Sequence, residues 1–386
     1  MSDASSTTDP VAATAAIGSA VHEVHWRDAL PWWILFRAAG MAFSPTVLLL
    51  AALGGMATWA GWAVLGSLTG PVATLDLPAS AATVVSPRAL PNASALLTAL
   101  PAPLSDAGRL LAAPFHPAVT LSQATAATAR ILWFVLAWSL FGTAITRHAA
   151  VTMIGEESPG FLGGLRYGIS RWPSSFNSVA FVLLGIAVLA LPGAGLGVVM
   201  RADWGLAVAG VLWPLVLLGA LVLAILVIGL VAGWPLMVAA VGVERGDSFQ
   251  AISTAFSYLY QRPLQYAFYG VVAGVVFVPA LFAAGLFADS TTSLAVWAAS
   301  FGMGHARTVG LLETAAATIT DSSHAAPFGL RAILFWQDCI ETLLGSFAWG
   351  YFWAIVTAAY MLLRRDVDGT ELDEVVLDEL PGEAAA

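Results

Sequence analysis

The sequence contains no lysine, a single cysteine and very few charged residues. Only 10% of its 386 residues are charged, whereas a soluble domain carries about 25%. All 15 basic residues are arginine, which excludes a Walker A lysine, a Schiff-base lysine and a Ser–Lys dyad. The lone Cys339 excludes intrachain disulfides and thiolate metal clusters.

What the sequence has in abundance is apolar residues. They make up 59% of the chain, and the mean hydropathy is +0.83, a value typical of a protein whose solvent is mostly lipid. The net charge of −9 comes from residues 366–386, which contain eight acids and no base, so the rest is nearly neutral. No basic face exists for a nucleic acid, and we expect the lipid bilayer to be the main partner.

Six apolar stretches are long enough to cross a bilayer, because about 20 residues suffice. We therefore predict an all-α polytopic membrane protein with its membrane domain over residues 29–365. The predicted spans are 46–65, 131–154, 179–199, 214–243, 266–287 and 340–363. The stretch 204–243 has no charge and is twice the needed length, so either one span or two separated near Pro214 fits.

Residues 29–42 surround Arg37 with aromatic and aliphatic side chains, the composition of a helix at the headgroup boundary. The residues that suit this boundary are Trp32, Trp33, Ile34 and Phe36. We predict an interfacial helix here, separated from the first span by Pro45. The alternative is one bent helix over 30–65.

Four segments are predicted to lie outside the bilayer. Residues 1–20 are mostly Ser, Thr, Ala and Asp, which predicts a disordered N-terminal tail over 1–28, and 67–125 and 288–334 are predicted to be periplasmic loops. Residues 366–386 form an acidic cytoplasmic tail. Nine of the arginines fall on the side of the termini, which predicts a bacterial inner-membrane protein with cytoplasmic N- and C-termini.

Residues 370–380 of the acidic tail can form an amphipathic helix. Its apolar face would consist of Leu372, Val375, Val376 and Leu380. Either this face contacts a partner or the tail is solvated, and the solvated tail is the favoured interpretation.

A module occurs twice: an apolar span, an acidic turn, an amphipathic helix, and then an arginine and a proline before the next span. The copies are MIGEESPGFLGGLRYGISRWPSSF at 153–176 and VGVERGDSFQAISTAFSYLYQRPLQY at 241–266. We interpret them as an internal parallel repeat, although their two-residue difference in spacing also allows coincidence. Pro173 and Pro263 are predicted to end the amphipathic helices. The apolar stripe of the second is Phe249, Ile252, Phe256 and Leu259.

The modules supply the first candidate polar site. Glu156 and Glu244 stand where a span reaches the surface, and a carboxylate at bilayer depth is costly unless it is paired or hydrated. Arg171 and Arg262 of the amphipathic helices are the expected partners. The favoured interpretation is that these ion pairs fix the joint between span and surface helix. A proton or cation path at the repeat interface is the alternative.

Three further polar residues are candidates for a structural or transport role. Arg147 lies near the end of the second span, and Asp338 and Glu341 are one turn apart at the predicted start of the sixth. At this spacing both carboxylates share a helix face. They would either complement the helix dipole at its N-terminus or bind a cation or relay protons.

The pattern E-x-x-x-S/D-F-x-A-I/L, followed by a Ser/Tyr-rich helix and Arg-Pro, resembles uncharacterised six-span bacterial membrane proteins, planctomycete ones among them. It also resembles the membrane domain attached to some glycerophosphodiester phosphodiesterases. The segments that carry the resemblance are LFRAAGMAFSP (35–45), 233–266 and YMLLRRDVDGTELDEV (360–375). The resemblance implies an all-α membrane bundle and no activity, since the catalytic domain is missing.

No catalytic, cofactor or metal motif appears, so we expect no enzyme and no cofactor. The leading functional expectation is a scaffold, assembly factor or accessory subunit with a membrane-protein partner or a second copy of itself. A small transporter or channel that uses the carboxylates of the repeat is the alternative, because transport paths usually need intramembrane charges. A lipid-acting enzyme would need the polar residues of the two modules to form one cleft at an interface.

Overall fold

The computed structural model describes residues 30–69, 120–320, 327–372 and 375, and every regular element in these ranges is helical. Six of the helices are long and apolar enough to cross a membrane, so the all-α polytopic architecture is confirmed. The expectations for residues 1–28, for 70–119 of the first predicted loop and for most of the tail lie outside the described residues.

Nine α-helices follow a short 3-10 turn at Pro31–Trp33 in the described part of the chain. They are α1 Ile34–Met41, α2 Pro45–Thr69, α3 Leu121–Ile154, α4 Gly160–Val199, α5 Asp203–Glu244, α6 Ser248–Gln261, α7 Pro263–Met303, α8 His305–Thr320 and α9 Phe328–Asp368. The six candidate spans are α2, α3, α4, α5, α7 and α9.

The sequence left two helix boundaries open, one within 30–65 and one within 204–243, and the structure decides both. Residues 30–65 form two helices, because α1 ends at Met41 and α2 starts afresh at Pro45, a residue suited to a helix N-terminus since it has no N–H to satisfy. The stretch 204–243 lies in one helix that continues through Pro214, so it is one span and not two.

The prediction of a loop at 288–334 was wrong for the described residues of that segment. Helix α7 continues to Met303, α8 follows, and α9 already begins at Phe328. The polar residues that suggested a loop satisfy their hydroxyls within the helix, as Thr291 Oγ1 does by donating to the carbonyl of Phe287 at 2.8 Å. With 41 residues, α7 is about 60 Å long, roughly twice the hydrocarbon thickness.

The two copies of the module have different helical structures. In the first, α4 runs through Pro173, so the prediction that this proline ends the helix was wrong. In the second, the chain does break before Pro263, and Asp247 caps α6 by accepting the N–H of Gln250 at 2.8 Å. A proline can stay inside a long helix as a kink when neighbouring helices hold both halves. The internal duplication stays a prediction.

Helix α6 buries a face that coincides only in part with the predicted apolar stripe, since Leu259 is buried and Ile252 and Phe256 pack against the core. Phe249, assigned to the stripe, is 66% exposed. The buried residues are Ala251, Ala255, Tyr258 and Leu259. Small residues on this face let α6 fold back along α5, where the Tyr260 hydroxyl donates to the carbonyl of Ile225. The helix therefore packs as the second arm of a helical hairpin.

The core surrounds the C-terminal half of α9, which α1, α2, α3, α5 and α7 contact. Aromatic rings fill the space between these helices, with Trp138 stacked on Trp349 at 4.5 Å and Trp353 lying 5.6 Å from Trp234. The indole N–H groups of Trp138, Trp234 and Trp353 have no acceptor among the described residues. Ring packing, and not hydrogen bonding, therefore holds these three indoles in place.

The outward faces of the long helices are apolar. None of the most apolar window of α7 is buried, whereas 94% of the corresponding window of α9 is. Val211 on α5 and Phe282 on α7 are 81% and 71% exposed. A water-soluble protein rarely exposes such continuous apolar surface, so these faces belong in a lipid bilayer.

The start of the predicted acidic tail belongs to the bundle. Helix α9 continues to Asp368, and Leu372 and Val375 pack against the core, the latter with 8% exposure. Both residues lie on the apolar face predicted for the tail. The described part of the tail is therefore docked on the protein, contrary to the favoured expectation of a solvated tail.

Candidate functional site

Glu244, the last residue of α5, is the centre of a polar contact with the end of α9. Its Oε1 lies 3.2 Å from Arg364 Nε and accepts the Tyr360 hydroxyl, and its Oε2 accepts the Gln250 side-chain amide at 3.0 Å. The side chains of Glu244 and Arg364 are only 14% and 16% exposed. Both carboxylate oxygens are therefore occupied by donors, one of them charged.

Two more carboxylates bind tyrosines beside this ion pair. The Tyr258 hydroxyl donates to Asp368, and its ring lies 5.5 Å from that of Tyr360. The Tyr269 hydroxyl donates to Asp366 at 2.8 Å. Burial, and then the hydrogen bond to Asp368, raise the pKa of Tyr258, so its phenol remains a donor. We call these contacts, together with Glu244 and Arg364, the carboxylate–tyrosine cluster.

A second polar contact joins α3, α4 and the end of α5. The Arg147 guanidinium lies over the Tyr167 ring at 5.2 Å, and that of Arg245 lies 6.0 Å from the same ring. The Tyr167 hydroxyl donates to the carbonyl of Val241 at 2.7 Å. Arg147 is only 2% exposed, so this cation–π contact stabilises a charge removed from water.

The turn between α3 and α4 is closed by a histidine and a serine. Ser158 Oγ lies 3.1 Å from His148 Nδ1 and accepts the N–H of Gly160 at 3.3 Å. Glu156 in the same turn is exposed. The turn therefore uses the contact between Ser158 and His148, and not the Glu156 carboxylate, to hold the two helices.

The structure does not bring the four residues proposed from the repeat into one site. Glu244 pairs with Arg364 of the last span, and not with Arg171 or Arg262. Arg171 is partly buried on α4, whereas Arg262 is exposed at the junction of α6 and α7. The partner expected for Glu244 was wrong because the end of α5 meets the C-terminal end of α9, which supplies Arg364.

Asp338 and Glu341 lie apart from all of these groups. Both are on the lipid- or solvent-facing side of α9 and stand well inside that helix, which begins at Phe328. The expectation that they complement the N-terminal dipole was wrong, because that effect fades within the first turn. Among the described residues, no three metal-ligating side chains converge on a common point.

Sequence reasoning missed the tyrosines and both aspartates of the cluster. Tyr360 and Glu244 are 116 positions apart, and Tyr269 and Asp366 are 97 apart, so no local pattern connects them. The available signal was weaker: a tyrosine near a span end is a usual donor at the membrane interface. Which carboxylate accepts the hydrogen bond of each tyrosine depends on how α9 packs against α5, α6 and α7.

Glu244 lines neither of two cavities that the described residues enclose. The larger, about 700 Å³, lies between the start of α1 and the ends of α3 and α9. The smaller, about 460 Å³, lies among α7, α8 and α9 near Gln337. Chemically, the carboxylate–tyrosine cluster joins helix ends, since its acceptors are already used by protein donors.

Comparison with protein families, with curated proteins and with solved structures finds no match for this chain.

Proposed function

We propose that the protein is a non-enzymatic scaffold, assembly factor or accessory subunit of a bacterial inner membrane, with both termini in the cytoplasm. The observation that carries the proposal is the use of its polar groups: they connect helix ends, and aromatic rings fill the space between the helices. We also propose, from the motifs alone, a relationship to the membrane domain found with some glycerophosphodiester phosphodiesterases.

The same observation gives transport less support. A transport path needs hydrated polar groups that follow one another across the bilayer. The residues available for it are separated: Arg147 is buried against Tyr167, while Asp338 and Glu341 lie on the outer side of α9. Many transporters bind substrate at broken helices, whereas α5 is continuous through Pro214.

The surface best suited to a partner is the outward face of α7. It presents a continuous apolar strip along one side of the helix. Its members are Val271, Val275, Val278 and Phe282, exposed by 65%, 69%, 68% and 71%. Gly270, which precedes Val271, and Gly274, which precedes Val275, have open space where a side chain would be, so a neighbouring helix could approach the backbone closely.

Site-specific photo-crosslinking in native membranes tests this proposal. A photoreactive residue at Val275 or Phe282 is expected to give one discrete protein adduct, identified by mass spectrometry as a partner or a second copy. The same residue at Trp353, which is fully buried, is the matched control and should give no intermolecular adduct. The protein reconstituted alone in liposomes distinguishes a second copy from a different partner.

Two results together would refute the scaffold proposal. One is the lack of a discrete adduct from the exposed positions of both α7 and α5, for example Val275 and Leu218. The other is solute or ion flux in liposomes that contain the purified protein and that stops when Asp338 and Glu341 are both replaced by their amides.

A further inference from the structure

The larger cavity lies where three chain segments end, on the side of the bundle that carries the interfacial aromatics. Its volume is about 700 Å³, within the range of small-ligand pockets, about 300–1,000 Å³. The lining comes from the start of α1, the C-terminal end of α3 and the chain that follows α9. Trp33, one of the lining residues, is 53% exposed, so the cavity opens beside an aromatic ring suited to the headgroup layer.

Two arginines give the cavity a site for an anion. Arg37 of α1 and Arg365 of α9 both line it, and neither is in an ion pair with a carboxylate of the described ranges. Each guanidinium presents several N–H donors in a fixed plane, a donor set that suits the oxygens of a phosphate. The cavity therefore has the chemistry to hold a phosphate group.

The remaining lining has the opposite polarity. Glu371 is the carboxylate among the lining residues, and the C-terminal ends of α3 and α9 also border the cavity, near Ile154 and Gly369. A helix C-terminus carries roughly half a negative charge on carbonyls that lack intrahelical partners. The partial negative charges of the two helix C-termini and the charge of the Glu371 carboxylate nearly balance the positive charges of the two arginines. A purely anionic ligand would therefore leave one side of the cavity unmatched.

Besides its arginines and its negative groups, the cavity has an apolar wall. Leu30, Ile34 and Met153 are apolar, and all three line the cavity beside the polar groups. An amphiphile can place alkyl chains along such a wall and its polar head between the charges. A soluble metabolite has no alkyl chain to place along the apolar wall, whereas a lipid has. The wall therefore favours a lipid over a soluble metabolite.

We propose that this cavity binds a phospholipid whose headgroup carries both a phosphate and a primary ammonium, as in phosphatidylethanolamine. Arg37 and Arg365 hold the phosphate. Glu371 and the last carbonyls of α3 and α9 accept hydrogen bonds from the ammonium, and the acyl chains lie along the apolar wall and the Trp33 ring. The near-zero charge balance of the lining selects a zwitterionic headgroup over an anionic one.

Native mass spectrometry of the full-length protein tests the proposal. The protein is purified in mild detergent and incubated with phosphatidylethanolamine, phosphatidylglycerol or phosphatidylcholine of identical acyl chains. We expect the strongest retention for phosphatidylethanolamine, because the other two headgroups have no ammonium hydrogen to donate. Arg37→Gln should reduce this retention about tenfold, the value of one charge-assisted hydrogen bond. Arg307→Gln, an exposed arginine on α8 outside the cavity, is the matched control and should leave it unchanged.

A second variant tests the ammonium side on its own. Glu371→Gln should lower the preference for phosphatidylethanolamine over phosphatidylglycerol, since it removes the carboxylate and leaves the arginines. Because Arg37 and Glu371 lie at the surface of the bundle, both variants are expected to fold, which size-exclusion chromatography checks. Equal retention of phosphatidylethanolamine by wild type, Arg37→Gln and Arg365→Gln would overturn the proposal, as would a wild-type preference for phosphatidylglycerol. Displacement by equimolar glycerophosphoethanolamine would overturn the assignment to a lipid.

Discussion

Two spanning helices approach each other closely at Gly242 of α5. A methyl group added there would lie 2.1 Å from Thr146 Oγ1, 2.8 Å from Thr146 Cβ and 3.2 Å from the backbone nitrogen of Arg147 on α3. Neither the Cβ nor the backbone nitrogen can rotate away, so Gly242→Ala must separate α3 from α5. Overpacking of this kind costs about 1–3 kcal/mol of unfolding free energy.

Gly219, on the same helix, provides the matched control. A methyl group added there would have no atom from beyond its own helical turns within 4 Å, so Gly219→Ala changes only the helix propensity, by about 1 kcal/mol in favour of the helix. Because both variants share this gain, their difference isolates the steric cost. We expect Gly242→Ala to be less stable than Gly219→Ala by about 2 kcal/mol, a factor of about 30 in the unfolding equilibrium.

The assay is unfolding by SDS in mixed micelles, followed by tryptophan fluorescence. Thr146→Ala in the Gly242→Ala background removes the obstacle at 2.1 Å and leaves the one at 2.8 Å, so it should restore only part of the loss. Equal stability of Gly242→Ala and Gly219→Ala would refute the reasoning, because it would mean that α3 and α5 are not in close contact.

Three further predictions concern the core and the carboxylate–tyrosine cluster. Trp353→Ala should lower the free energy of unfolding by about 3–5 kcal/mol in the same assay, because it leaves a cavity where a fully buried ring stood; a loss below about 1 kcal/mol would contradict the aromatic core. Glu244→Ala and Arg364→Ala should each cost about 2 kcal/mol, and the double variant less than their sum because they lose the same ion pair; strict additivity would show that the pair contributes nothing. The raised pKa of Tyr258 means that its contribution is complete below the ordinary pKa of about 10 and is lost as the pH rises through the folded-state value. The stability difference between wild type and Tyr258→Phe should therefore shrink from about pH 9 to about pH 11, whereas an unchanged difference would contradict the raised pKa.

The spans could be predicted because they depend on short stretches of sequence. About 20 apolar residues suffice to cross hydrocarbon, so the composition of each window decides its location. Pro45 was a sound boundary signal for the same reason, since a proline acts on its immediate neighbours. Pro173 was not, because the packing of α4 against other helices outweighs the local cost of a missing hydrogen bond.

The candidate site could be predicted only in part. Glu244 was identified as a carboxylate that needs a partner, and it has one. Its partner could not be predicted, because Arg171, Arg262 and Arg364 all lie near span ends and carry the same charge. The choice among them depends on which helix ends meet, and the structure places Arg364 beside Glu244.

The sequence by itself determined that this chain is a helical membrane protein with six spans. Hydrophobic transfer is nearly additive along a helix, so it can be summed from the residues alone. The tertiary structure decided which helix is central, that α6 folds back on α5, and that three carboxylates join their helix ends through Arg364 and tyrosines. These features depend on contacts between residues about 100 positions apart, whose distances no local property of the chain fixes.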